Sequence, residues 1–250
     1  MTVPEFVKDR IKQPANKRFI VPDSTPVVCF GDITRAKVIT IGINPSSSEF
    51  TKLNKGQSVL LTDSERRLHD LKSLGAASTE SLTDSQVELV WQACLNYFDG
   101  PYYEKWFKPM QQTVLDAFGA SYKDRTAAHL DLIQWATNPL WQPMLNEYPE
   151  AAKTHLDSDL PFLEAQLETL DLEYIFLSGT PVVDTLKEKF QLENIGKTEA
   201  PNKKSQNSLY KGKWREALVL GTSMNVPDSH TSQAHRDYLK KWISENLLSG

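Results

Sequence analysis

Residues 36–50 read AKVITIGINPSSSEF, and the fold turns on this stretch. The run AKVITIGI is rich in β-branched side chains and continuously apolar instead of alternating, which marks a strand covered on both faces. Gly42 and Pro45 around Asn44 then force a sharp exit. That exit leaves backbone amides and the Asn44 side chain exposed at the strand's C-terminal end. Three later runs share the strand character: 126–133 (TAAHLDLI), 173–177 (EYIFL) and 216–221 (EALVLG).

Helix-period segments lie between these runs. In residues 83–98 the apolar positions Val87, Val90, Trp91, Cys94, Leu95 and Phe98 fall on one helical face. Asp159 before Pro161, and Thr180 before Pro181, read as N-caps of helices reaching to about Leu170 and Phe190. Ser232 reads as the cap of a last helix, with Tyr238, Leu239, Trp242 and Leu247 on its apolar side. Strands alternating with helices predict an α/β fold: a three-layer α/β/α sandwich around a central four-stranded parallel sheet. Residues 196–215 break the rhythm with Lys197, Lys203, Lys204, Lys211, Lys213 and Arg215 against the single acid Glu199. They read as a basic loop leading into the last strand, toward the strand ends where α/β proteins bind ligands.

The 250 residues suffice for one sizeable core, and residues 1–250 read as a single domain. A net charge of −4 excludes a uniformly basic nucleic-acid coat but leaves room for a local basic groove. No apolar run approaches the roughly 20 residues of a membrane helix. The opening MTVPEFVKDRIKQP lacks the apolar centre of a secretory signal, so a cytoplasmic location without a membrane partner is expected. Two cysteines, Cys29 and Cys94, cannot supply a four-cysteine zinc or iron–sulfur site within one chain and read as small buried residues. No cofactor is expected, and the chain reads as a monomer.

Three segments can carry chemistry. The first is IGINPSSSEF (41–50), which contains neither GxGxxG nor GxxxxGK[ST], so nucleotide hydrolysis and dinucleotide binding are poor readings. The second is AHLDLIQWATNPLW (128–141), where Asp131 sits among apolar neighbours and needs a partner in the fold or in a ligand. The third is TSMNVPDSHTSQAHR (222–236). His230 and His235 are five apart, about 140° around a helix, which is not a paired-histidine metal face. One histidine among hydroxyls can instead donate to a developing anion.

Together the three segments resemble the uracil-DNA glycosylase superfamily. GINPS (42–46) is similar to the GINPG-type motif of its mismatch-specific branch, LDLIQWAT (130–137) to that branch's strand motif, and His230-Thr231-Ser232 to the HPS leaving-group loop with threonine in place of proline. The third segment is longer than the family's, so Asn225 and Pro227 compete with His230 and Ser232 for the equivalent place. The cluster-bearing branches need four cysteines and are excluded, and the water-activating aspartate of the most active branch is replaced by Asn44. The resemblance implies a DNA glycosylase that flips a base from DNA, duplex or single-stranded. Asn44 would position water and His230 would stabilise the departing base. Asp131, Ser232 and Asn225 would contact that base, and Phe50 or an aromatic of residues 97–107 would stack on it. Lys203, Lys204, Lys211 and Lys213 would hold phosphates. Where a uracil reader has asparagine, Asp131 accepts only, which suits an exocyclic amine and implies a modified cytosine, as in foreign or phage DNA, ahead of uracil. A catalytically silent base- or nucleic-acid-binding protein, and a nucleosidase on the same sheet, remain the alternatives.

Overall fold

The computed structural model describes residues 2–14, 18–198 and 206–248. Its strands are β1 (Val38–Gly42), β2 (Thr51–Asn54), β3 (Gln57–Leu60), β4 (Ala127–Asp131), β5 (Tyr174–Ser178), β6 (Glu193–Lys197), β7 (Ser208–Trp214) and β8 (Ala217–Thr222). Six of them form one sheet in the order β4-β1-β5-β8-β7-β6, and β2 pairs with β3 alone. The α/β class stands, and the four apolar runs become the adjacent strands β4, β1, β5 and β8. The expected four-stranded parallel sheet is corrected to a mixed sheet of six. β1, β5 and β8 run parallel, whereas β7 and β6 add antiparallel pairings.

The physical reason lies in residues 196–215, whose lysines suggest a loop. In register, Lys211 stands opposite Glu193, which offsets its charge, and Lys197 on the edge strand β6 discourages pairing with a further chain. Gly212 is required there. A Cβ at this position would lie 2.3 Å from the Phe190 carbonyl oxygen, which accepts from Lys213 N at 2.9 Å.

The chain forms two compact units, each built from three stretches: residues 1–31, 43–102 and 130–169 in one, and 32–42, 103–129 and 170–250 in the other. In the first, helix Asp84–Leu95 starts at a reciprocal cap. Thr83 Oγ1 accepts from Gln86 N, and Gln86 Oε1 accepts from Thr83 N. Its face Val87, Val90, Trp91, Cys94 and Leu95 is buried, as the spacing predicts. Cys29 and Cys94 are buried free thiols, and burial pushes the Cys94 thiol up to about 11, so it serves as packing.

Two readings of helix starts need correction. Asp159 caps nothing: it lies inside helix Pro149–Thr169, which runs through Pro161. Its carboxylate turns inward, where Arg10 and the Gln134 amide meet it.

In the second unit β1 is buried along its whole length. Thr40, its one polar side chain, is satisfied by Tyr122 Oη and His129 Nδ1, each at 2.8 Å. Helix Thr180–Leu186 begins after Gly179, whose φ of 101° suits glycine, and Thr180 is its first residue, not its cap. Ser232 does cap helix Gln233–Leu247, accepting from His235 N. No helix among the described residues is long and apolar enough to cross a membrane.

Candidate functional site

The exit from β1 is a tight turn, but it does not leave the Asn44 side chain exposed. Ser46 Oγ accepts from Ser48 N and caps the 3₁₀ turn Ser47–Glu49. Asn44 is half-buried and donates through Nδ2 to Pro45 O at 2.9 Å and to Thr137 Oγ1 at 3.1 Å. Ile133 N donates to Ile43 O at 3.0 Å. The GINPS and LDLIQWAT segments, about ninety residues apart, are thus joined through the asparagine and the closing threonine of the two motifs. Asn44 Oδ1 accepts no hydrogen bond among the described residues, which leaves a fixed acceptor for a ligand or water.

Asp131 ends β4 and is 5% exposed. Its backbone carbonyl accepts from Gln134 Nε2 at 2.8 Å. Gln134 N in turn donates to Asp159 Oδ2 at 2.8 Å, and Arg10 Nη2 lies 2.5 Å from the same oxygen. Burial pushes the Asp159 carboxyl up and the Arg10 guanidinium down, and each partner's charge opposes the other's shift. The turn carrying Asp131 therefore rests on a buried ion pair.

Phe50 is a core residue, 2% exposed, and offers no open ring face for stacking. Tyr97, Phe98 and Phe107 are buried as well. The residue that sequence reading passed over is Glu49, 1% exposed at the end of the 3₁₀ turn. It accepts a hydrogen bond of 2.6 Å from Tyr97 Oη. Burial pushes its carboxyl up to about 7; Asp131 adds to the rise, while the Tyr97 hydrogen bond and Arg67 oppose it. Arg67 is fixed to the same turn, donating to Ser48 O at 2.5 Å. Nothing in SSSEF distinguishes this glutamate from a solvated one, because its burial comes from Tyr97 and Arg67, remote in sequence. An open groove of about 850 Å³ in the same unit is lined by Leu60, Thr62, Asp63, Arg66, Asp70 and Lys72, none of them singled out from the sequence.

The third segment belongs to the second unit. Ser178 Oγ accepts from Val226 N at 3.2 Å, and Thr231 Oγ1 donates to Asn225 O at 3.0 Å, so the loop is pinned from within. Asn225, His230 and Ser232 are all exposed on it. His230 N donates to Asp228 Oδ1 at 2.8 Å, whereas His235 is buried with its Nδ1 2.7 Å from Ser232 Oγ. These contacts hold the backbone, and among the described residues none of them uses the His230 ring. Lys211 and Lys213 share one face of β7, the former half-buried and the latter exposed. Lys203 and Lys204 lie outside the described residues. Among the described residues no cluster of three or more His, Cys, Asp or Glu side chains is arranged for a metal ion. No protein-family model and no curated protein matches the chain.

Proposed function

We propose that the chain is a DNA glycosylase of the uracil-DNA glycosylase type, removing an aberrant or modified pyrimidine. The observation that carries this reading is the Asn44–Thr137 hydrogen bond, which ties together the two motifs that resemble the family at the ends of β1 and β4. Hydrolysis of an N-glycosidic bond passes through an oxocarbenium-like sugar while negative charge gathers on the base. Such a reaction needs a held water and a donor to the departing base. The free Asn44 Oδ1 suits the first task, orienting water without taking its proton. The exposed His230 suits the second, with Asn225 the alternative on the same loop. Lys211 and Lys213 supply phosphate contacts that an otherwise acidic chain lacks. The substrate that fits Asp131 is a cytosine bearing a modification, as carried by foreign or phage DNA, since an acceptor meets the exocyclic amine and opposes a carbonyl. Defence against such DNA is the role this substrate implies, and repair of uracil is the role if the base is uracil.

Asp131→Asn tests the reading. The change converts an acceptor into a side chain that also donates while nearly conserving volume. Single-turnover excision is expected to fall on a 5-hydroxymethylcytosine duplex and to rise on a uracil duplex. The shift in relative rate should be about ten- to a hundredfold, corresponding to about 1–3 kcal/mol for one polar contact. Equal loss on both duplexes would make Asp131 structural. Retention of either duplex with no abasic site in the wild type would favour the silent binding protein instead.

A further inference from the structure

Gln134 lies midway between Asp131 and Thr137, the two residues of the second motif that the proposed chemistry uses. It is 1% exposed, and all but one of its polar groups are engaged by the fold. Its backbone N donates to Asp159 Oδ2 at 2.8 Å, and its backbone O accepts from Val27 N at 2.7 Å. Its side-chain Nε2 donates twice, to Asp131 O at 2.8 Å and to Leu132 O at 3.3 Å. Oε1 alone is left, buried and without a hydrogen bond among the described residues.

A buried amide oxygen without a donor costs free energy. Turning the amide over would not relieve it, because Oε1 would then face two carbonyl oxygens and Nε2 would be stranded instead. The fold thus bears one unpaired acceptor in order to keep the Asp131 and Leu132 carbonyls held. Those carbonyls belong to the peptide groups on either side of Leu132, and the next peptide is fixed by Ile133 N donating to Ile43 O at 3.0 Å. Holding the Asp131 carbonyl fixes the ψ angle of Asp131, and with it the direction of its side chain relative to the turn.

We infer that Gln134 is a positioning residue of the base-reading site: it touches no substrate, and by holding these two carbonyls it sets the direction from which Asp131 meets the base. A reading side chain works only when it is held to within about 0.5 Å of its productive place, which a free peptide group does not ensure. The role rests on the glycosylase reading for its substrate, whereas the hold on the turn can be measured without any substrate.

Gln134→Met keeps the length and packing of the side chain but donates nothing. Gln134→Asn keeps an amide that is one methylene too short to span both carbonyls, and it carries the comparison if methionine prevents folding. In the full chain, either change is expected to speed amide hydrogen exchange at Ile133 at least about tenfold beyond any change in helix Asp84–Leu95 of the same unit, which reports general loss of stability. The wild-type preference between 5-hydroxymethylcytosine and uracil duplexes in single-turnover excision is expected to shrink about tenfold, the scale of one polar contact in base discrimination. A merely structural role would lower both rates together and leave their ratio unchanged. In an Asp131→Ala background the same substitution is expected to move the ratio by less than about twofold, since the residue it positions is gone. Unchanged exchange at Ile133, equal loss on both duplexes, or an undiminished effect without the Asp131 carboxyl would each overturn the inference. Absence of excision by the wild type on every duplex would overturn the glycosylase reading and this role with it, and the exchange comparison would still show whether Gln134 holds the turn.

Discussion

Arg10→Met is expected to lower unfolding free energy by about 3–5 kcal/mol at neutral pH, the usual consequence of stranding one member of a buried ion pair. Arg10 and Asp159 are 3% and 1% exposed, and Arg10 approaches Asp159 Oδ2 at 2.5 Å. The guanidinium also lies 5.9 Å from the ring centres of Trp135 and Phe162, so methionine retains packing while the charge is lost. Without Arg10, the Asp159 carboxyl is pushed up further by its burial. The folded variant then holds a proton the unfolded chain has released, and the deficit should shrink as pH falls through the carboxylate range. Adding Asp159→Asn, which can still accept from Gln134 N, should recover most of the loss. Urea titrations at several pH values measure all three. A deficit below about 1 kcal/mol, unchanged by pH, would show that the pair is not what holds this part of the fold.

Asn44→Ala is expected to reduce single-turnover excision about 10²-fold, the scale of effect that follows from a misplaced reacting group. Its cost to stability should stay near 1 kcal/mol, because Asn44 is half-buried and water can take over the groups it leaves. Two functions of the side chain are removed together: the Oδ1 acceptor and the Nδ2 donor that binds Thr137 and Pro45 O. Thr137→Val separates them, since it deletes the hydroxyl and spares Oδ1, and should cost less than Asn44→Ala. If Thr137→Val were the more damaging change, the asparagine would be a strut and not a water holder.

The sheet interior was legible from the sequence because burial on both faces writes itself as unbroken apolar runs. The cap at Ser232 was legible for a related reason, since a cap is a local bargain between neighbours. What escaped was set by distant partners. Asp159 before a proline reads as a helix start, but Arg10 and the Gln134 amide, far away in sequence, draw it inside a long helix. The lysines of β7 read as a solvated loop, while pairing with β8 and the opposed Glu193 make a strand of them. The β2–β3 hairpin carries little apolar alternation, and its exposed residues give no period-2 signal. At the candidate site, Asn44 and Asp131 announced themselves through a turn and an out-of-place acid. Glu49 did not, because a serine-rich turn ending in glutamate looks solvated until Tyr97 closes over it.

The central claim is that the turn after β1, joined to the end of β4, serves base excision. It is tested most directly by incubating the purified wild-type chain with duplexes carrying uracil, a thymine mismatch, hypoxanthine or substituted cytosines, and then cleaving abasic sites with alkali. Strand cleavage at a substituted cytosine, or failing that at uracil, with little or none at normal pairs, is the expected result. Intact strands on every duplex, or hydrolysis confined to free nucleosides, would contradict it.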